Sequence, residues 1–185
     1  MIGAPFKVVL DANVLYPFAL RDTLLRAAAA GFFQACWSAE ILDEALRNLT
    51  GSGRITELQG RRLRAAMERS FPEAMVTGHE TLIAAMENNA KDRHVVAAAV
   101  KAGAQLIVTA NLKDFRKLPE GIDVQSPDDF LCSLLELDPR GMLELVTAQA
   151  AALKSPPRSF EELLAGLATL VPDFVGAVRT HARHR

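Results

Sequence analysis

The stretch FKVVLDAN, Phe6–Asn13, decides the fold. A short apolar run rich in β-branched residues that stops at an acid predicts a buried strand with a loop at its carboxyl end. QLIV, Gln105–Val108, repeats the pattern and stops at Thr109-Ala110-Asn111. Between the two lie helical patterns. Asp22 or Thr23 is expected to cap a helix running through the Ala run to Ala30, with Gly31 as its stop. Ser38 caps a second helix to about Leu49, and Thr56 with Gln59 makes a capping box for a third that ends before Pro72. Asp92 opens a fourth, whose Val95, Val96, Ala99 and Val100 form one apolar stripe closed by Gly103. Ala74 to Thr77 and Asp123 to Gln125 read as further short strands. Strands alternating with helices imply βαβ units, and so an α/β fold with a parallel sheet covered on both faces.

From about residue 126 the pattern turns purely helical. Ser126-Pro127-Asp128-Asp129 opens one helix, Pro139 begins another, and Ser155-Pro156-Pro157 makes a stiff break. Ser159 with Glu162 is a second capping box, and Pro172 starts the last helix. These patterns imply one α/β domain over residues 1–126 and a helical C-terminal extension over 127–185.

The 185 residues are 50% hydrophobic and 23% charged, which excludes a disordered chain. Lys and Arg total 21 against 22 for Asp and Glu, so contact with a polyanion must come from a local patch. Candidates are Arg61, Arg62 and Arg64 on the third helix, Arg93, and the tail residues Arg179, Arg183 and Arg185. Cys36 and Cys132 stand far apart in apolar settings, which gives neither a zinc pair nor a disulfide framework and suits a cytoplasmic protein. No run approaches the ~18 apolar residues of a membrane span, so no membrane association is expected. His181 and His184 have i, i+3 spacing, but a terminus is a poor place for a metal site. Phe32, Phe33 and Trp37, at a predicted helix boundary, are expected in the core.

In an open parallel sheet, ligands bind beyond the carboxyl ends of the strands. Asp11 and Asn13 follow the first strand, Asn111 and Asp114 the second, and Asp92 stands at the amino end of the helix between. Asp11 and Asn13 also suit a turn, and Asp92 also suits an N-cap. Asp92 nevertheless shares the apolar stripe of its helix, so its carboxylate is aimed at the packed side and needs a partner. Converging carboxylates repel, and one is driven to hold its proton unless a cation intervenes. Oxygen-only donors favour magnesium or manganese over zinc. Such ions hydrolyse phosphodiesters by polarising the phosphoryl group and activating water.

DANVL (Asp11–Leu15), SAEILDEALRNL (Ser38–Leu49), DRHVVAAAVKAGA (Asp92–Ala104) and LIVTANLKDF (Leu106–Phe115), in this order, resemble the motifs of PIN-domain ribonucleases over roughly residues 6–126. The resemblance is strongest to the VapC-type toxins of bacterial toxin–antitoxin pairs. It implies a three-layer α/β/α sandwich, an acidic pocket for Mg2+ or Mn2+, and a metal-dependent endoribonuclease acting on tRNA or other structured RNA. It makes Asp11, Glu44 and Asp92 successive catalytic and metal-binding acids, with Asn111 and Asp114 sharing the fourth place. It makes Asn13 and Thr109 the partners that orient the carboxylates. Asn111 weakens the pocket charge and leaves the number of ions open. From periodicity alone, Glu44 would be a surface partner of Arg47. A homodimer and a small antitoxin protein that pushes a basic side chain into the pocket are implied as well. Two other readings compete. A haloacid-dehalogenase-like phosphatase would use Asp11, Thr109 and the pair Asp128 and Asp129, but has Asn13 where its proton-donating acid belongs. A catalytically silent PIN-like module would only bind RNA or a partner.

Overall fold

The computed structural model describes residues 6–183; His184 and Arg185, named above, lie outside the described residues. Strands β1 (Lys7–Leu10), β2 (Gln34–Ser38), β3 (Met75–Val76), β4 (Leu106–Val108) and β5 (Asp123–Gln125) form an all-parallel sheet in the order β3-β2-β1-β4-β5. Val8, Val9, Leu10, Ile107 and Val108 are completely buried. Neighbours along a strand point to opposite faces, so both faces of the sheet are covered, as expected of a parallel α/β sandwich. The chain builds from β1 through β2 to β3 on one side and then returns to β4 on the other. The order therefore reverses at β1 and β4, whose register pairs Leu10 with Val108.

Among the described residues the helices are α1 (Ala12–Leu15), α2 (Phe18–Ala29), α3 (Ala39–Gly51), α4 (Glu57–Ser70), α5 (Arg93–Ala102), α6 (Pro127–Leu137), α7 (Pro139–Ala152), α8 (Phe160–Leu167) and α9 (Pro172–Arg183). They fall into two compact units. The first, Met1–Tyr16 with Phe33–Gln125, carries the sheet, α1, α3, α4 and α5. Helix α5 lies across β1, β2 and β4 with Val95, Val96 and Ala99 buried, and Gly103 ends it in the left-handed conformation at φ 63°. The expected caps form: the Ser38 side chain accepts from Ile41 N–H at 3.2 Å, and Thr56 and Gln59 cap each other's backbone.

The second unit, Pro17–Phe32 with Ser126–Arg185, contains α2 and α6–α9. Its core includes Leu20, Leu24, Phe130, Leu131, Met142, Val146, Leu164 and Phe174. Gln149 on α7 is buried and satisfied by α2: its Oε1 accepts from Thr23 Oγ1 at 2.9 Å and its Nε2 donates to Ala19 O at 3.1 Å. The Ser159–Glu162 capping box is present.

Two sequence expectations change. Helix α2 starts at Phe18 behind Pro17 with no side-chain cap, so neither Asp22 nor Thr23 is its N-cap. Asp22 pairs with Arg26, and Thr23 is a buried mid-helix residue. The same helix, placed by sequence within the α/β domain, has its packing among the C-terminal helices α7 and α8. The second change is β2, which covers the segment taken for a helix boundary. Trp37 and Phe33 are buried as expected, and Trp37 meets the Phe71 ring edge-on, with centroids 5.7 Å apart. The short QACWS segment has little strand propensity of its own; pairing with β1 and β3 makes it a strand.

Candidate active site

The carboxyl end of β1 presents Asp11, and the sheet holds it there: its N–H donates to Val108 O at 3.1 Å, continuing the ladder to β4. The side chain is the N-cap of α1, with Oδ1 accepting from Ala12 N–H at 2.7 Å. Its Oδ2 accepts from Thr109 Oγ1 at 2.7 Å and from Asn13 Nδ2 at 2.9 Å. Thr109 is itself fixed by its N–H bond to Gln125 O at 3.1 Å, and Asn13 Oδ1 accepts from Ala110 N–H at 2.9 Å. Asp11 is 4% exposed. Burial raises its pKa above the usual carboxylate value, with the Glu44 charge acting the same way; the Thr109 and Ala12 donors oppose this.

Asp92 precedes α5 in the N-cap position, yet its side chain makes no capping bond. Its Oδ2 is buried with no hydrogen-bond partner among the described residues. Burial raises its pKa, and the charges of Asp11 and Asp114 add to that shift. A plain helix cap is therefore excluded as the reason for this residue. Asp114 lies in the 3-10 turn after β4, Leu112–Phe115. Its Oδ1 accepts from Asn89 Nδ2 at 3.1 Å, its Oδ2 accepts from Asn111 Nδ2, and Lys91 Nζ stands 3.4 Å from Oδ2. Desolvation works against its ionisation, but the donors from Asn89, Lys91 and Asn111 prevail and hold its pKa below the usual value. Asn111 thus serves Asp114 as a donor, and Asp114 is the acid of the two.

Glu44, on α3, is half-buried and faces α5: its Oε2 is 3.8 Å from His94 Nε2, and no ion pair joins it to Arg47 among the described residues. His94 is 6% exposed, and its Nδ1 stands 3.7 Å from Glu40 Oε2. Sequence reasoning did not name Asn89 or Lys91, and it gave His94, expected to be solvated, no role beyond phosphate contact, whereas the structure buries it. The adjacency of Lys91 and His94 to Asp92 was the available signal.

The basic candidates divide. Arg64 is bound by Asp43 and by Glu68, the latter at 2.9 Å, and Arg93 Nε donates to Asn88 O at 3.3 Å. Arg179 pairs with Glu161 at 3.1 Å. Arg61, together with Arg47 and Arg64, lines a hollow of about 310 Å³ between α3 and α4, and Arg62 is exposed.

A PIN-domain family model matches residues 7–113. The chain belongs to the PIN-domain family. A model of the VapC50 C-terminal domain matches residues 127–180. The Mycobacterium tuberculosis (strain ATCC 25618 / H37Rv) protein named "Putative ribonuclease VapC50" is 40% identical over 117 residues, covering 60% of this chain and 69% of that protein. This PIN-domain protein is thus of VapC type, with the extension matched by a model of its own.

Divalent ions are the cofactors the PIN family implies, and the residues suit one in donor chemistry. The acids offer only hard oxygens, one of which is buried and unpartnered, and Asp92 feels both Asp11 and Asp114. Among the described residues no three of His, Cys, Asp and Glu form a ready cage. Among the described residues, no helix is long and apolar enough to cross a membrane.

Proposed function

We propose that this PIN-domain protein is a Mg2+- or Mn2+-dependent endoribonuclease, the toxin of a toxin–antitoxin pair, that cuts tRNA or another structured RNA. The observation that carries the proposal is the Asp92 oxygen, buried without a partner among the described residues and in the field of Asp11 and Asp114. Burying a carboxylate oxygen beside like charges is costly, and a cation offsets that cost. The ribonuclease name of the M. tuberculosis relative supports the same reading.

Asp11, Asp92, Asp114 and Glu44 would hold the ion. Thr109 and Asn13 keep the Asp11 oxygens oriented, as outer partners of metal ligands do. Asn111 and Asn89 do the same for Asp114. When bound, the ion would polarise the phosphoryl oxygens and lower the pKa of the attacking water. Arg61, Arg62 and Arg93 are the proposed phosphate contacts, with Arg64 restrained by its two acids. A homodimer and an antitoxin that sets a basic side chain against the acids complete the proposal, in the cytoplasm.

The phosphatase reading loses its residues to other work. Asn13 donates to Asp11 and has no carboxylic proton to transfer, and Asp128 accepts from the N–H groups of Asp173 and Phe174. The test incubates the purified protein with tRNA and other structured RNAs in Mg2+, Mn2+ or EDTA. Cleavage that needs the ion and is lost in Asp92→Asn is expected. Equal cleavage by Asp92→Asn rejects the site, and phosphomonoester hydrolysis through a phosphorylated Asp11 favours the phosphatase.

A further inference from the structure

Asp114 already has a cation beside it that is part of the chain. Lys91 Nζ lies 3.4 Å from Asp114 Oδ2, and the charges of Asp92 and Glu44 also act on it. Asn89 sets this geometry. Its Oδ1 accepts from Lys91 N–H at 3.3 Å and caps the 3-10 turn Ala90–Asp92, while its Nδ2 donates to Asp114 Oδ1 at 3.1 Å. One side chain therefore fixes both the backbone that carries the ammonium and the carboxylate that receives it. Asn111 adds a neutral donor on Oδ2 and no charge. Both Asp114 oxygens are thus engaged before any ion arrives, whereas Asp92 Oδ2 has no partner among the described residues and Asp11 is held by neutral donors.

Resting on the reading of these acids as a divalent-ion site, we infer that the Lys91 ammonium is a built-in counter-cation that competes with the divalent ion for Asp114. A divalent ion approaching Asp114 displaces Lys91 or shares the oxygen with it against charge repulsion. The Lys91 ammonium would thereby weaken the contribution of Asp114 to the ion site it shares with Asp11, Asp92 and Glu44, and it supplies on the Asp114 side a positive charge that the chain never releases. Lys91 is a positioning residue in this scheme. Its side chain is 66% exposed, so replacing it leaves the fold intact.

The experiment titrates the full chain with Mn2+ alone and reads free Mn2+ by electron paramagnetic resonance. A unit charge a few ångströms away across solvent is worth roughly a tenfold change in affinity. Lys91→Met is expected to bind Mn2+ about tenfold tighter than wild type, and Lys91→Arg, which keeps the charge, within about twofold of it. Lys113→Met removes an equal charge beside Asp114 in sequence, one with no ion pair to it among the described residues, and is expected to stay within about twofold. In an Asp114→Asn background the gain from Lys91→Met should shrink to less than about threefold. Wild-type affinity in Lys91→Met, or the same gain in Lys113→Met, overturns the inference. Loss of Mn2+ in Asp92→Asn alongside an unchanged Lys91→Met sinks the inference alone. Equal binding by wild type and Asp92→Asn sinks the metal-site reading and the inference with it.

Discussion

At the start of α6, every acid has a job that ends within the fold. Asp128 accepts from Asp173 N–H at 3.1 Å and Phe174 N–H at 2.8 Å, so it caps α9, and Asp129 Oδ2 accepts from Ser126 Oγ at 2.6 Å. At the start of α5, Asp92 occupies the N-cap position, makes no cap, and buries an oxygen that has no hydrogen-bond partner among the described residues. Both helices begin with an acid where the macrodipole welcomes negative charge. The difference lies in what the oxygens reach, and it separates an aspartate kept for stability from one that stability alone would discard.

That contrast can be broken most sharply at Asp92. Asp92→Asn should lower RNA cleavage by more than the ~100-fold typical of losing an outer partner of a metal ligand, with a melting temperature no lower than wild type. A gel assay beside a thermal melt checks both; a clear loss of stability would return Asp92 to the structural class. Thr109→Val removes the donor to Asp11 Oδ2 at nearly constant volume, and should cost about 10- to 100-fold in cleavage or Mn2+ affinity. Wild-type values for both would show that the orienting bond is idle.

Asp128→Ala should behave the opposite way, losing about 0.5–2 kcal/mol with the α9 cap. At roughly 2–4 °C per kcal/mol for a chain of this size, the melting temperature falls accordingly, while cleavage per folded molecule is unchanged. The smallest effect is in pH. Asp92 has its folded pKa raised above its ordinary 3.8, so the folded state binds more protons between the two values. In EDTA, wild type should therefore lose stability relative to Asp92→Asn as pH rises from 3.8 through the raised value, and the two should converge on acidification. A gap that widens on acidification would reverse the sign assigned to Asp92.

Features governed by neighbours in sequence were legible. The Ser38, Thr56, Ser126 and Ser159 caps depend on residues three positions away, and the acids at strand ends follow from where an apolar run stops. Features set by distant partners were not. Gln34–Ser38 becomes a strand through β1 and β3, and Thr23 is buried because Gln149, 126 residues on, bonds it. Within the site, the order of Asp11, Asp92 and Asp114 could be read, but the pairing of Asn89 and Lys91 with Asp114 could not, because it joins two loops 25 residues apart.

Helix α2 gives the chain an unusual modularity. The polypeptide leaves the sheet-bearing unit at Tyr16, comes back at Phe33 and leaves again after Gln125, so the second unit is assembled from both sides of β2. Cutting after residue 126 would strand Leu20, Leu24 and Ala27 without the helices that cover them. The tail is therefore woven into the chain as a basting thread is into cloth, and α2 depends on it for the cover of its apolar face.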